Sequence, residues 1–225
     1  DYSVSPPVQI SIFLSGLDTL CRVQALASRI FVDENEWDET RRRHLFYASF
    51  LKPLYELSEN SLTDDKSKND KRQSPFHRLL SEGLKLPKSD IKSIEVVLRG
   101  SSGLQNLVGN FDLTDATILS GRERESLRWL FWQALSPLGI MWREALLLFL
   151  ASLPVPLPVA VDRYSRLIDV IKNELSLDPN LLDGQWKMQP MLTGAQIRER
   201  ALPALRGEAF QQVLQAQEEW QVRNE

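Results

Sequence analysis

WKMQPMLTGAQIRERALPALRGEAFQQVLQAQEEW, residues 186 to 220, is the stretch from which the rest of the chain is read. It divides into two short helices. Pro190 stiffens the approach to the first, and Thr193 is a good N-cap because its hydroxyl can accept from an N–H that the first turn leaves without a partner. Gln196, three residues on, completes a T-x-x-Q capping box, and Ile197 is the apolar anchor. After Leu202 and Pro203, the pair Arg206-Gly207 opens a second helix with Phe210, Val213, Leu214 and Trp220 as its apolar stripe. Two helix starts with free N–H groups, at Thr193-Gly194 and at Gly207, flanked by Arg198, Arg200 and Arg206, can hold a phosphate backbone.

Outward from there the chain also reads as helix. Glycine is sparse and alternating β-branched runs are almost absent, so the expected class is all-α: a multi-helix body over residues 1–176 and a small helical tail over 177–225. At 225 residues, with 43% hydrophobic and 25% charged side chains, the composition is that of an ordinary soluble globular chain. A net charge of −3 argues against a uniformly basic nucleic-acid binder, so any RNA contact has to come from local basic faces. The single Cys21 excludes a disulfide framework and a Cys-rich zinc site and suits a reducing, intracellular compartment. The chain opens DYSVSPPVQI, without Met or a basic leader, as a piece of a longer polypeptide would.

The run from Pro7 to Phe31 is apolar on most sides and reads as a central helix that Gly16 bends or divides. A second helix is expected over Thr40–Leu57, kinked or ended by Pro53. Residues 60–74, NSLTDDKSKNDKRQS, are dense in charge and read as a flexible loop. The next helix carries Ile91, Ile94, Val97 and Leu98 on its buried face, with Gly100 as its C-cap, and is followed by one short helix and a loop. Ser120 and Glu123 make a capping box for a helix with Leu127, Leu130, Phe131 and Ala134 on one face. Ser136-Pro137 starts another, with the stripe Leu138, Trp142, Ala145, Leu146 and Phe149. Ala145–Val161 is apolar, but its seventeen residues fall short of the roughly 20 a spanning helix needs and its prolines interrupt it. It reads as a buried helix and a Pro-rich connector, with no membrane partner. A last amphipathic body helix carries Val161, Tyr164, Ile168, Ile171 and Leu175.

Catalytic chemistry is hard to find. No Asp-x-Asp pair sits on a strand, and no glycine-rich phosphate loop, HExxH or Gly-x-Ser-x-Gly occurs. Asp33, Glu34 and Glu36 read as a solvated acidic turn, and His44 and His77 as ordinary histidines, so no catalytic and no metal-binding residues are assigned. Trp129, Trp132 and Trp142 recur among Leu and Phe at helical spacing and read as packing rather than base stacking. Arg124 and Arg128 stand one turn apart as a candidate phosphate stripe, diluted by Glu123 and Glu125.

The tail is where a family resemblance enters. Pro190-Met-Leu-Thr-Gly194, then a Gly-opened helix running to Trp220-Gln221, resembles the C-terminal tail of class II CCA-adding tRNA nucleotidyltransferases, relatives of poly(A) polymerases, in their fungal-like branch. Gln196, Arg206 and Gln211 stand where that family usually has an acid, a Pro and a Gly. About a hundred residues earlier, Leu84-Lys-Leu-Pro-Lys-Ser-Asp90 resembles the L-K-L-S-N-K-D element of the same family's body domain.

The resemblance implies a catalytic head and neck upstream in the same polypeptide, with magnesium and CTP/ATP used there. It implies tRNA as partner, no cofactor held in this chain, and no catalysis by this part alone. The competing reading is a non-catalytic helical protein-interaction domain without an RNA role.

Overall fold

A computed structural model describes residues 6–31, 38–64, 74–109, 121–174, 192–200 and 207–224, and among them every regular element is helical. The fold is all-α. In chain order it consists of α1 (Pro6–Ile30), α2 (Glu39–Asp64), α3 (Pro75–Arg78) running into a π-helical turn at Leu79–Gly83, α4 (Lys88–Gly109) and α5 (Gly121–Leu135). A 3-10 turn, Ser136–Met141, then leads to α6 (Trp142–Ser152). The order closes with α7 (Leu157–Asp169) and its π-helical extension Val170–Glu174, α8 (Gly194–Arg200) and α9 (Glu208–Asn224).

The centre belongs to α6. Trp142 and every residue from Glu144 to Ala151 are buried, with α1, α2, α4 and α7 packed around them. WREALLLFLAS is apolar all round, which is what a helix needs when it has no face toward water. The buried helix expected from Ala145 is found, and its stripe Leu138, Trp142, Ala145, Leu146 and Phe149 is buried, but the central position expected of α1 belongs to it instead. Val23, Leu26 and Ala27 of α1 are buried, while Ile10, Phe13 and Leu14 are 61%, 53% and 57% exposed. The apolar residues of α1 lie on two faces, and neighbours cover only one.

Both ends of α6 are tied down by arginines from the surrounding helices. At its start, Arg41 of α2 donates from Nε and Nη2 to Glu144 at 2.8 and 3.0 Å, and from Nη2 to the Ile140 carbonyl at 2.6 Å. The carboxylate is buried, and the planar guanidinium meets both its oxygens at once. At the other end, Arg22 of α1 donates to the carbonyls of Ala151, Leu153 and Val155 at 2.7, 2.6 and 2.8 Å. A helix leaves its last carbonyls without partners, and one guanidinium here serves the final turn and the Pro-rich connector together.

Four expectations about helix boundaries change, two of them at glycines where helices pack closely. Gly16 does not divide α1: a Cβ there would meet the Phe50 carbonyl oxygen at 2.2 Å, so glycine lets α1 and α2 approach. Gly100 is not a C-cap; α4 continues to Gly109, and a Cβ at Gly100 would lie 2.7 Å from Leu138 Cδ2 and 2.9 Å from Ala145 Cβ. Pro53 lies inside α2, which runs on to Asp64 and so takes in the start of the expected loop; the rest of that loop, 65–73, lies outside the described residues. Ser136-Pro137 opens a 3-10 turn rather than α6, and the break falls at Gly139 (φ 52°, ψ −137°), a conformation open essentially to glycine. The Ser120 cap and residues 110–119 also lie outside the described residues.

These contacts set opposite signs for two glycine substitutions. Gly16→Ala is expected to destabilise by about 1–3 kcal/mol despite alanine's better helix propensity, because two helices must separate. Gly103→Ala, on exposed α4 surface with nothing within 4 Å of the new carbon, is expected to stabilise by about 0.5–1 kcal/mol. Urea midpoints of the two variants measure the contrast.

Candidate functional site

The tail motif forms the local structure its residues call for. The Thr193 N–H donates to Gln196 Oε1 at 2.8 Å, and the Gln196 N–H donates to Thr193 Oγ1 at 3.3 Å, closing the capping box at the start of α8. Ile197, the next residue, is buried. Gly194 permits the approach of α9, since a Cβ there would lie 3.2 Å from the Phe210 ring. The Gln217 side chain of α9 holds the Leu192 peptide from both sides: Leu192 N–H donates to Oε1 at 3.1 Å, and Nε2 donates to the Leu192 carbonyl at 3.4 Å.

The tail is joined to the body through α5. The Trp132 indole N–H donates to Glu218 Oε1 at 2.8 Å, and Val222 is buried in the same apolar cluster as the body helices. Near the end of α9 the buried residues are Gln221 and Val222, whereas Trp220 is 54% exposed, which corrects its place in the expected apolar stripe. Trp129, Trp132 and Trp142 are buried, as a packing role requires. Leu130, expected on the buried face of α5, is 47% exposed.

Of the candidate RNA contacts, Thr193 is exposed, Gly194 is half-buried, and Gly207 is exposed with a φ of 59° immediately before α9. Arg198 and Arg200 lie on α8 without described side chains, and Arg206 lies outside the described residues. Arg124 is exposed and Arg128 half-buried. Arg124, Arg128 and Trp132 recur every four residues and so share one face of α5. Trp132 touches the tail, so the face of α5 that carries Arg124 and Arg128 is continuous with the one on which α9 is seated. The half-buried position of Arg128 makes Arg124 the better placed of the pair to meet an external anion. Nothing in the residue order marks Gln217 and Glu218 as the groups that fix the tail: a Gln and a Glu on a polar face look like any solvated pair.

A second surface feature is an open groove of about 690 Å³ beside α2, lined by Leu20, Glu39, Arg42, Arg43, Phe46, Tyr47 and Phe50. Phe13 packs edge-on to Phe50 at 5.5 Å between ring centroids, linking the groove to the exposed face of α1. His44 faces Asp90 at 3.3 Å and His77 faces Glu95 at 3.3 Å; both are ordinary carboxylate contacts. Among the described residues, no three His, Cys, Asp or Glu side chains gather as a metal site. No family model, no curated protein and no solved structure matches this chain.

Burial pushes the Tyr55 phenol above its ordinary value of 10.0, and the charge of Glu59 adds to the effect against an opposing hydrogen bond with Arg99. Its ring packs edge-on to Phe76 at 5.2 Å. The folded state therefore keeps a proton that the unfolded chain loses first. The resulting stability is complete below about pH 10 and is lost as pH rises through the folded value. Urea midpoints taken across that alkaline range should fall less steeply in Tyr55→Phe than in the parent protein. For the tail, Gln217→Ala is expected to speed exchange of the Leu192 amide about fivefold, as loss of roughly 1 kcal/mol of hydrogen bonding would, with amides of α4 and α6 unchanged.

Proposed function

We propose that this chain is the tRNA-binding body and tail of a class II CCA-adding nucleotidyltransferase, working with a catalytic head and neck carried elsewhere in the same polypeptide. The observation that supports it most is the tail motif itself. Its capping box is formed, Thr193 and Gly207 face solvent, and the tail is seated on the helix that carries Arg124. In this reading the arginines of α5 and α8, with Arg206, neutralise phosphates of the acceptor arm and elbow. The 3′ end is thereby held near the head while nucleotides are added.

Duplex RNA is recognised largely by shape, phosphates and 2′-hydroxyls, which suits a chain with no base-reading module in its sequence. Magnesium and CTP/ATP belong to the head, where the metal would activate the 3′-hydroxyl and stabilise the leaving phosphate. This part should be inactive by itself. A protein-interaction role for the same domain draws on the groove beside α2 and on exposed Ile10, Phe13 and Leu14 of α1.

The test is binding to a tRNA transcript lacking its 3′-CCA over a range of salt. The expected result is affinity that falls steeply with log salt, by close to one unit of slope per neutralised phosphate. Combining Arg124→Glu, Arg198→Glu and Arg206→Glu should weaken binding by about tenfold or more at moderate salt. Binding that is absent, or insensitive to both salt and charge reversal, would reject RNA in favour of the protein-interaction reading.

A further inference from the structure

The turn between α3 and α4 breaks a local preference without a packing reason. Lys85 holds a φ of 51°, in the left-handed region. On either side of it, the Leu84 N–H donates to the Leu79 carbonyl at 2.8 Å and the Leu86 N–H to the Leu80 carbonyl at 3.0 Å. This is the ending in which a helix closes its last carbonyls around one left-handed residue, and that residue is usually glycine. A side chain there crowds the following carbonyl, so lysine carries strain that glycine would avoid. Leu86 packs against the core and Pro87 follows it, which accounts for the turn but not for the lysine, whose side chain is exposed.

Two more exposed lysines follow at once. Lys88 lies in the first turn of α4 and Lys92 one turn later, about 6 Å further along the axis. The start of a helix carries partial positive charge, so this is an unfavourable end for cations. The carboxylates of the segment are engaged elsewhere. Glu82 pairs with Arg78, Asp90 with Arg43 and His44, and Glu95 with His77. Among the described residues, the Lys85, Lys88 and Lys92 side chains make no hydrogen bond or ion pair, and the three cations share one short stretch of surface.

We infer that Lys85, Lys88 and Lys92 form a second contact with the RNA phosphate backbone, separate from the tail arginines. The inference rests on the RNA-binding reading above and adds a site to it. Backbone strain at Lys85, the cation of Lys88 at the positive end of α4 and the neighbouring charge of Lys92 are all accounted for if a polyanion lies over the turn. Lysines act on phosphates as point charges, so the contact positions the RNA and reads no base.

The test uses the full 225-residue chain and a tRNA transcript lacking CCA. Lys85→Gly should raise the thermal midpoint by about 2–4 °C while weakening tRNA binding, a pairing that a purely structural lysine would not give. Lys88→Gln/Lys92→Gln should leave the midpoint at or slightly above the parent value and reduce the slope of log affinity against log salt by about 1–2. Unchanged affinity and slope in both variants, while the tail and α5 arginine reversals still weaken binding, would overturn this inference and leave the RNA-binding reading standing. No tRNA binding by the parent chain would remove both. Binding to phosphatidylserine vesicles that the lysine variants lose, with tRNA binding unchanged, would also overturn it, in favour of a lipid surface.

Discussion

The structure depends on keeping one short helix wholly out of water. Covering α6 on every side removes a large apolar area from solvent, but it also buries Glu144 and draws the helix's last carbonyls away from bulk water. Arg41 meets the first problem and Arg22 the second, each with several donors from one planar group. A buried carboxylate that loses its partner costs about 3–5 kcal/mol, so the ion pair is less a source of stability than a condition for burying this helix at all. Because the two arginines come from α1 and α2, the same contacts fix where those helices lie.

Close approach is the second condition. Gly16 brings α1 against the backbone of α2, and Gly100 brings α4 against α6 and Leu138. Helices packed this tightly leave little room for adjustment, and the tail is added to a body already determined. It attaches through Trp132–Glu218 and Val222 on one side, while Gln217 and Phe210 hold the capped start of α8 on the other. The tail motif and the α5 arginines are therefore held in a fixed relation, which matters to any ligand long enough to touch both.

Among the described residues, Gly139, Gly207 and Lys85 have a left-handed φ, and the lysine differs in kind from the two glycines. Gly139 turns the chain from α5 into α6, and glycine is the residue for which that conformation is easy. Lys85 takes a glycine's place with a charged side chain. The hydrogen bonds of Leu84 and Leu86 and the packing of Leu86 hold the turn at Lys85 in place, so the strain is carried by the surrounding fold.

Much of this was open to a reading of the residues in order. Ile91, Ile94, Val97 and Leu98 are buried on α4, Tyr164 and Ile171 on α7 and its extension, and the Thr193–Gln196 box closes as its spacing requires. Such features depend on neighbours three or four residues apart, which sequence displays directly. The candidate phosphate-binding arginines, Arg124, Arg128, Arg198, Arg200 and Arg206, were legible only as residue types, with no indication that α5 and the tail adjoin. Which apolar helix lies at the centre, why Gly100 is a point of contact rather than an end, and why Trp220 is exposed while Val222 is buried depended on partners up to a hundred residues or more away. Periodicity states which residues share a face of a helix. What lies against that face is decided by the tertiary structure, because burial belongs to a pair of surfaces and a sequence shows one of them at a time.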